Sequence, residues 1–214
     1  MSIATMVLGE SGTGKSTALR NMRPADTLLI QAIKKPLPFR SEGWKYLPKE
    51  GGNIIVSDDA GQIINLMQRT QRDVIVIDDY QYILANEFMR RTDERGFDKF
   101  TDIGKHAWEI NRAAADLPDH KRVYILSHTE TTDAGRVKAK TIGRMLDEKI
   151  TLEGMFSIVL RTAVINDQYV FRTRNNGSDT VKTPLGMFDA ETIPNDLAAV
   201  DAAIVDFYQL AQDA

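Results

Sequence analysis

One short stretch near the start of the chain constrains its fold more than any other feature. The residues GESGTGKST, positions 9–17, follow the apolar run SIATMVL and lead into the helix-compatible run STALRNM. They match the pattern G-x-x-x-x-G-K-[ST], whose glycines allow positive φ angles and a close approach of the backbone to an anion. The N–H groups of such a loop point inward, and the following helix adds the positive end of its dipole. The stretch therefore predicts a cradle for phosphate groups between a strand and a helix.

This glycine-rich loop, residues 9–17, has side chains with expected roles. We expect Lys15 to reach the β- and γ-phosphates of a nucleotide, Ser16 to ligate Mg²⁺ through its hydroxyl, and Thr17 to lie near the α-phosphate. A glycine-rich connection that arose by chance is the alternative, but all four fixed positions and both flanks agree with the phosphate site. The residues expected to line it are Gly9, Glu10, Ser11, Gly12, Thr13, Gly14, Lys15, Ser16 and Thr17.

Length, charge and cysteine content narrow the class of protein. The chain has 214 residues, which suits one α/β domain over 1–214. Its net charge of −3 excludes a generally basic nucleic-acid-binding protein, so any such contact must come from local patches or an assembled surface. The absence of cysteine excludes disulfides, zinc–thiolate sites and cysteine nucleophiles, and fits a reducing compartment. Because no signal peptide or membrane-spanning segment is visible, we expect a cytoplasmic protein without a membrane partner.

Strand-like and helix-like segments alternate along the chain, which predicts an α/β fold with a mainly parallel sheet flanked by helices. The predicted strands are 2–8, 27–33, 53–57, 72–80 and 122–130. The predicted helices begin near Lys15 and after an N-cap at Ser57, and then cover 82–96, 99–117, 142–150 and 196–210. A hairpin is predicted from 155–165 and 168–174, with its turn at Asn166 and Asp167. The segments predicted to be irregular are 34–52, 131–141 and 175–188.

Two acids follow the apolar strand residues VIVI. Asp78 occupies the position from which a carboxylate holds Mg²⁺, directly or through water, beside a phosphate-binding loop. Because the carboxyl ends of parallel strands meet at one edge of a sheet, we expect Asp78 to lie near the glycine-rich loop. Asp79 has two candidate roles: it polarises an attacking water molecule, or it caps the helix that follows.

The next strand-like run, YILSHTE, also ends in polar residues. We expect Ser127 or His128 to touch the γ-phosphate and to report its loss to the adjoining loop. The alternative for His128 is a histidine that only completes the hydrogen bonds at a strand end. Glu130 is a second candidate for positioning water.

Basic side chains are concentrated in three places. The segment 131–141 and the residues just after it contain Arg136, Lys138, Lys140 and Arg144. These cations are solvated surface charges, contacts to a DNA backbone, or groups donated to the nucleotide of a neighbouring subunit. Two other stretches mix cations with aromatic rings, which either stack on bases or belong to the core. They contain Lys34, Lys35, Arg40, Trp44 and Tyr46, and then Tyr169, Phe171, Arg172 and Arg174.

Four stretches together resemble phage-encoded P-loop ATPases with a reduced RecA-like core: GESGTGKST, VIVIDDYQYILANEFMRR, YILSHTE and KTIGRMLDEKITLEGMF. They look like the short single-strand annealing recombinases of the Sak-four type, and the resemblance covers most of the chain. It implies a RecA-type fold, ATP with Mg²⁺, and single-stranded DNA as a ligand. It also implies a single-strand-binding protein as partner, assembly of identical subunits into a ring or filament, and the host cytoplasm as location.

The resemblance also implies roles for individual residues. Lys15 and Ser16 take the positions of the residues that hold the phosphates, and Asp78 takes that of the acid that holds Mg²⁺. Ser127 and His128 lie where the RecA-type fold has its polar phosphate sensor. With the two candidates for positioning water, the residues expected at the catalytic centre are Lys15, Asp78, Asp79, His128 and Glu130.

Two features depart from the family pattern. Lys138 and Lys140 resemble the paired lysines by which RecA-type subunits reach a neighbour's ATP, but they lie closer to the sensor strand here. RecA-like ATPases carry a catalytic Glu at the end of the strand after the first helix, where this chain has Gln31 followed by lysines. This difference predicts slow hydrolysis, or hydrolysis that uses Asp79 or Glu130. It favours a nucleotide-gated binding protein over a motor.

Three functions are consistent with these patterns. The leading hypothesis is an ATP-dependent protein that anneals or recombines DNA, in which nucleotide controls an assembly that gathers weak basic patches. The first alternative is a non-catalytic scaffold or loader for replication proteins, which the missing strand-end Glu favours. The second alternative is a small-molecule or nucleotide kinase, for which 90–97 is the only stretch that resembles an arginine-rich lid.

Overall fold

The computed structural model describes residues 1–210, and a sheet lies at its centre. The end of the predicted domain, 211–214, lies outside the described residues. The strands are β1 Ile3–Gly9, β2 Thr27–Gln31, β3 Ile54–Val56, β4 Val74–Asp78, β5 Arg122–Thr131, β6 Val137–Ala139, β7 Ile158–Ile165, β8 Gln168–Arg172 and β9 Thr192–Pro194. The α-helices are α1 Ala60–Arg69, α2 Gln81–Arg90, α3 Asp98–Ala115 and α4 Leu197–Tyr208. Shorter helical segments cover Ser16–Asn21, Met145–Lys149 and Leu152–Met155.

The sheet is mostly parallel. Its strand order is β3-β2-β4-β5-β1-β7-β8-β9, and β6 pairs with β5 outside this path. The pairs from β3 across to β7 are parallel, whereas β7–β8, β8–β9 and β5–β6 are antiparallel. Parallel neighbours need long crossover connections, which the helices supply. The predicted α/β architecture with a mainly parallel sheet flanked by helices is therefore confirmed.

Helices cover both faces of the sheet and form two apolar cores. On one face, α1, α2 and α3 contribute Ile63, Ile83 and Ile110 to the core. On the other face, α4 and the short helix after the glycine-rich loop contribute Val200 and Leu19. Strand β4 is buried along its whole length because helices cover it on both sides. This arrangement leaves the carboxyl ends of the strands as the edge at which a ligand can bind.

The hairpin predicted near the end of the chain is confirmed. Strands β7 and β8 pair with Ile165 opposite Gln168, and the turn residues Asn166 and Asp167 have φ angles of 50° and 62°. Two successive positive φ angles are typical of the two-residue turns whose twist matches that of hairpin strands. The last predicted helix is also observed, as α4. Within the described residues, no helix is both long enough and apolar enough to cross a membrane.

One predicted helix is of a different type, and another is shorter than the sequence predicted. The helix predicted to begin near Lys15 is a six-residue 3₁₀ helix, Ser16–Asn21, and Pro24 prevents the chain from continuing it. The dipole of such a short helix adds less to an anion site than we expected. Helix α2 ends at Arg90 and not at Gly96, since the Lys99 ammonium donates to carbonyl oxygens of the turn that follows the helix.

Two further helix predictions are corrected. The N-cap of α1 is Asp59 and not Ser57, because the Asp59 carboxylate accepts a hydrogen bond from the Gln62 N–H at 2.7 Å. The short helix predicted at 142–150 is a single π-helical turn, Met145–Lys149.

All three segments predicted to be irregular contribute to strand pairing. In the segment 34–52, Tyr46 pairs with Ile54 through an isolated bridge. The segment 131–141 contains β6, which forms a hairpin with β5 and buries Val137 and Ala139. These two residues alternate with the exposed Arg136 and Lys140 and the half-buried Lys138, so the polar and basic neighbours obscured the strand pattern in the sequence. In the segment 175–188, Lys182 pairs with a residue of β7 through an isolated bridge.

Candidate functional site

The carboxyl ends of neighbouring strands bring several sequence-predicted residues together. Gly9 at the end of β1 is in register with His128 on β5, and Asp78 at the end of β4 is in register with Leu126 on the same strand. A cavity of about 340 Å³ opens at this edge, beside the glycine-rich loop. Its lining beyond the loop includes Lys35, Asp79, Tyr82, His128 and Tyr169.

The glycine-rich loop contains two glycines with positive φ angles. Gly12 and Gly14 have φ angles of 79° and 98°, which L-residues that carry a side chain rarely adopt. A Cβ built at Gly12 would meet nothing within 4 Å, whereas one at Gly9 would lie 1.9 Å from the Thr162 Oγ1. The Thr13 hydroxyl lies 2.6 Å from the Thr162 hydroxyl, so strand β7 anchors the loop. The loop is therefore fixed at its base and open to a ligand at its tip.

Lys15 is buried at the base of the loop. Its ammonium donates to the carbonyl oxygens of Gly9 and Glu10, both at 2.9 Å, and lies 3.5 Å from the Nδ1 of His128. Burial lowers the pKa of Lys15, and the nearby Asp79 carboxylate is the strongest influence that opposes this shift. A buried ammonium held by neutral carbonyl groups gains from the arrival of an anion in the cavity.

Ser16 and Asp78 form the pair predicted to hold a metal. The Ser16 hydroxyl donates to the two carboxylate oxygens of Asp78, at 2.9 and 3.1 Å. Burial raises the pKa of Asp78, and Asp79 adds to the shift, while Lys35 opposes it. Hydroxyl and carboxylate oxygens are the hard ligands that Mg²⁺ prefers, so the residues present fit this metal. No cluster of three or more His, Cys, Asp or Glu suited to a metal occurs within 1–210, so phosphate oxygens and water would supply the other ligands.

Asp79 is directed into the site and not toward helix α2. Its φ angle is 49°, in the left-handed region that Asp tolerates better than most residues. Its carboxylate forms an ion pair with Lys35 and lies 3.5 Å from the Nε2 of His128. Burial alone would raise the pKa of Asp79, but hydrogen bonds from His128 and Lys35 lower it to about 2. The N-cap position of α2 is Tyr80, so the Asp79 side chain does not cap that helix.

His128 connects the glycine-rich loop to Asp79. The His128 Nδ1 lies 3.5 Å from the Lys15 ammonium, which can only donate, and the Nε2 lies 3.5 Å from an Asp79 carboxylate oxygen. The imidazole packs edge-on against Tyr82, with ring centroids 5.9 Å apart. The backbone carbonyl of His128 accepts a hydrogen bond from the Lys140 N–H at 2.8 Å. One residue thus contacts both the cavity and the base of the β5–β6 hairpin.

Ser127 and Glu130 are not among the residues that line the cavity. The Ser127 side chain is fully buried, and Glu130 forms an ion pair with Lys138 at 3.0 Å across the β5–β6 hairpin. This pairing offsets the charge of Lys138, whereas Arg136 and Lys140 lie exposed on the same hairpin. Of the candidates at the end of β5, the structure brings His128 alone to the cavity.

Gln31 occupies the strand-end position at which the family pattern has a catalytic Glu. Its side chain is fully buried, and its Nε2 donates to the carbonyl oxygen of Lys35 at 3.2 Å. The Tyr46 hydroxyl lies 2.8 Å from the Gln31 Oε1. Both ends of the amide are therefore engaged, and the side chain supports the backbone of 34–52 instead of facing the cavity.

The aromatic residues considered for base stacking have different environments. Trp44 and Phe171 are buried in the core, which is the second of the alternatives considered for them. Tyr169 is 52% exposed and lines the cavity beside the loop. Arg144, the cation that follows the hairpin, is 91% exposed and lies 3.7 Å from Glu148.

Several site residues were missed or given another role by sequence reasoning. Lys35 and Tyr169 were considered as DNA contacts, and Tyr82 and Thr162 were not considered. Lys35 follows the end of β2 closely, so the rule that strand ends converge could have identified it. Thr162 lies within β7, where no local pattern signals a contact with the loop after β1.

No protein-family model matches the chain, and no curated protein matches it at a significant level. The function proposed below therefore depends on the geometry of the site and on the resemblance of the sequence motifs.

Proposed function

We propose that this protein binds a nucleoside triphosphate with Mg²⁺ and hydrolyses it. The observation that carries the proposal is the contact between Ser16 on the loop and Asp78 at the end of β4, with the Lys15 ammonium buried close by. A hydroxyl, a carboxylate and an ammonium are the groups that hold a metal-bound triphosphate in this kind of loop. Mg²⁺, when bound, would neutralise charge that develops on the phosphate oxygens.

Five residues of the site have roles in this proposal. Lys15 binds the outer phosphates, and Ser16 and Asp78 hold the metal. Asp79 is ionised at neutral pH because its pKa is about 2, and its carboxylate accepts a hydrogen bond from the water molecule that attacks the phosphate. His128 fixes the position of Asp79 through its Nε2. A carboxylate with such a low pKa is a weak base, so we expect slow turnover.

We further propose that ATP is the nucleotide and that the protein anneals or recombines single-stranded DNA, as the motif resemblance implies. The exposed Arg136 and Lys140 support this proposal, because they lie on the hairpin whose base is bonded to His128. A shift of His128 toward a bound phosphate would move the hairpin. A chain with a net charge of −3 needs several copies to present a strong basic surface, which favours a ring or filament. A single-strand-binding protein is the proposed partner.

Nucleotide titration of three variants, with and without Mg²⁺, tests the first part of the proposal. We expect Lys15→Ala to weaken triphosphate binding by roughly tenfold or more, because it removes charge-assisted hydrogen bonds. Asp78→Asn should bind nucleotide in the absence of metal as the wild type does, but should gain little from Mg²⁺. Lys105→Ala removes an exposed lysine of α3 and serves as the matched control. Unchanged affinity of Lys15→Ala would show that the loop is not the nucleotide site.

Hydrolysis measured with and without single-stranded DNA tests the second part. Stimulation by DNA, together with DNA binding in the same samples, would support an annealing or recombination protein. If single-stranded DNA neither stimulates hydrolysis nor binds to the protein at low salt, that function is excluded.

A nucleotide-gated scaffold or loader is the second candidate. It is favoured by Gln31, whose amide is engaged by Tyr46 and by the backbone of Lys35, so that the strand end supplies no base. In that case nucleotide would bind tightly without turnover, with or without DNA. Stretch 90–97 offers little support for a kinase lid, because Arg91 pairs with three acids of α2, α3 and the turn between them.

A further inference from the structure

Lys35 places a second ammonium group at the candidate site, and the function proposed above gives it no role. Its Nζ forms an ion pair with Asp79 and lies 3.6 Å from the Asp78 Oδ2. The side chain is 35% exposed and lines the same cavity as the glycine-rich loop. The Lys35 ammonium therefore lies beside the two carboxylates near which a divalent metal would bind.

The backbone that carries Lys35 is held firmly. Its carbonyl oxygen accepts a hydrogen bond from the Gln31 Nε2 at 3.2 Å and lies 3.1 Å from the Tyr46 hydroxyl, whose one proton it shares with the Gln31 Oε1. Both partners are themselves joined, since the Tyr46 hydroxyl also lies 2.8 Å from the Gln31 Oε1. The four-carbon side chain beyond this anchor can change rotamer without moving the backbone.

Binding of a metal at Asp78 changes the balance of charge around Lys35. An ammonium 3.6 Å from an Asp78 oxygen and a divalent cation on the same carboxylate repel each other. The cavity that Lys35 lines also receives the phosphates of the proposed ligand, which offer the nearest new anions. Moving the ammonium from the carboxylates to a phosphate oxygen removes the repulsion and keeps the cation paired.

We propose that Lys35 is a specificity-determining residue, whose ammonium contacts the terminal phosphate of a bound nucleoside triphosphate from within the same subunit. This inference rests on the proposed function, because it requires that the cavity hold nucleotide. It assigns a phosphate-binding cation to the segment that follows β2, four residues beyond the strand end at Gln31. The site would then distinguish triphosphate from diphosphate through Lys35.

Calorimetric titration of Lys35→Ala with Mg²⁺ and two ligands, ADP and the non-hydrolysable imido analogue of ATP, tests the proposal. We expect affinity for the ATP analogue to fall by roughly tenfold, the effect of losing one charge-assisted contact, and affinity for ADP to change little. Lys34→Ala is the matched control: it removes the neighbouring, exposed lysine, whose ammonium lies over the Tyr46 ring and not in the cavity. This control should keep the wild-type ratio of the two affinities.

Other outcomes separate this inference from the proposed function. If the wild type binds neither ligand, the nucleotide site itself is wrong. If the wild type binds both but Lys35→Ala weakens both equally, or neither, then Lys35 is only a counter-ion for the two carboxylates and the inference fails. Should Lys35→Ala not fold because Asp79 loses its partner, the charge-balanced Lys35→Gln/Asp79→Asn variant is compared with Asp79→Asn. We expect the double variant to lose affinity for the ATP analogue but not for ADP, relative to Asp79→Asn. If the ratio of the two affinities is the same in both variants, the proposal is overturned.

Discussion

Asp79 is the residue whose ionisation most clearly links the site to stability. Its pKa is held at about 2, below the ordinary value of 3.8, by His128 and Lys35 acting against burial. A carboxylate with a depressed pKa stabilises the folded state above its unfolded pKa, and this contribution is lost as the pH falls through the folded value. The shift corresponds to about 2 kcal/mol of the free energy of unfolding at neutral pH.

We therefore expect Asp79→Asn to change the pH dependence of unfolding. The wild type should lose up to about 2 kcal/mol more than the variant between pH 4 and pH 2, measured by urea unfolding at a series of pH values. Asn tolerates the positive φ angle at this position, so the backbone should be kept. Asp78 contributes with the opposite sign because its pKa is raised, and since Asp79 adds to that shift, the opposing contribution is smaller in the variant. The difference between the two proteins is therefore below the full contribution of Asp79. Asp133→Asn, on an exposed loop, is the control, and parallel curves for wild type and Asp79→Asn would contradict the expectation.

The residues of the site that could be predicted are those fixed by local pattern. Lys15 and Ser16 belong to one contiguous motif, and Asp78 belongs to a strand end that must lie near it. The positions of Lys35 and Thr162 depend instead on the path of 34–52 and on the pairing of β7 with β1. Neither the path nor the pairing has a signature within a short window of sequence.

At the scale of elements, the β7–β8 turn offers a direct test of backbone preference. Asn166 has a φ angle of 50°, and a β-branched residue at a positive φ angle is strongly disfavoured. We expect Asn166→Val to lower the free energy of unfolding by about 1–2 kcal/mol, measured by urea unfolding. Gln168→Val places the same side chain on an exposed position of β8, where β-branched residues are favoured. Equal stabilities of the two variants would show that the turn is not formed as described.

Element boundaries were predicted least well where a distant contact decides them. Lys99 ends α2 early by bonding to carbonyl oxygens beyond Arg90, and nothing within 82–96 indicates this. Strand β6 forms because β5 is long enough to pair with it and because the pairing leaves Val137 and Ala139 buried. The apolar runs of β1, β4 and β5 were identified easily because burial on both faces leaves a continuous hydrophobic signal.

At the scale of the whole molecule, the sheet order explains why one edge gathers the polar residues. Strands β4, β5 and β1 are adjacent and parallel, so Asp78, His128 and Gly9 lie side by side at the carboxyl edge of the sheet. The alternation of strands and helices predicted the class of fold, but the order of strands is set by crossovers that the sequence pattern does not specify. The architecture thus places the polar site residues at the strand ends and the exposed cations on the β5–β6 hairpin beside them.

Binding of single-stranded DNA should depend on nucleotide and on the cations of that hairpin. A chain of net charge −3 binds a polyanion weakly as a single copy, so we expect affinity to rise with protein concentration when ATP and Mg²⁺ are present. Removing Lys140 should lower the slope of log affinity against log salt by about 0.7 for each such cation in contact with DNA. Arg23→Ala, an 82% exposed arginine before the amino end of β2, should leave the slope unchanged. Fluorescence anisotropy over a salt series measures both slopes. Equal slopes for the Lys140 variant and Arg23→Ala would show that the hairpin is not part of the DNA-binding surface.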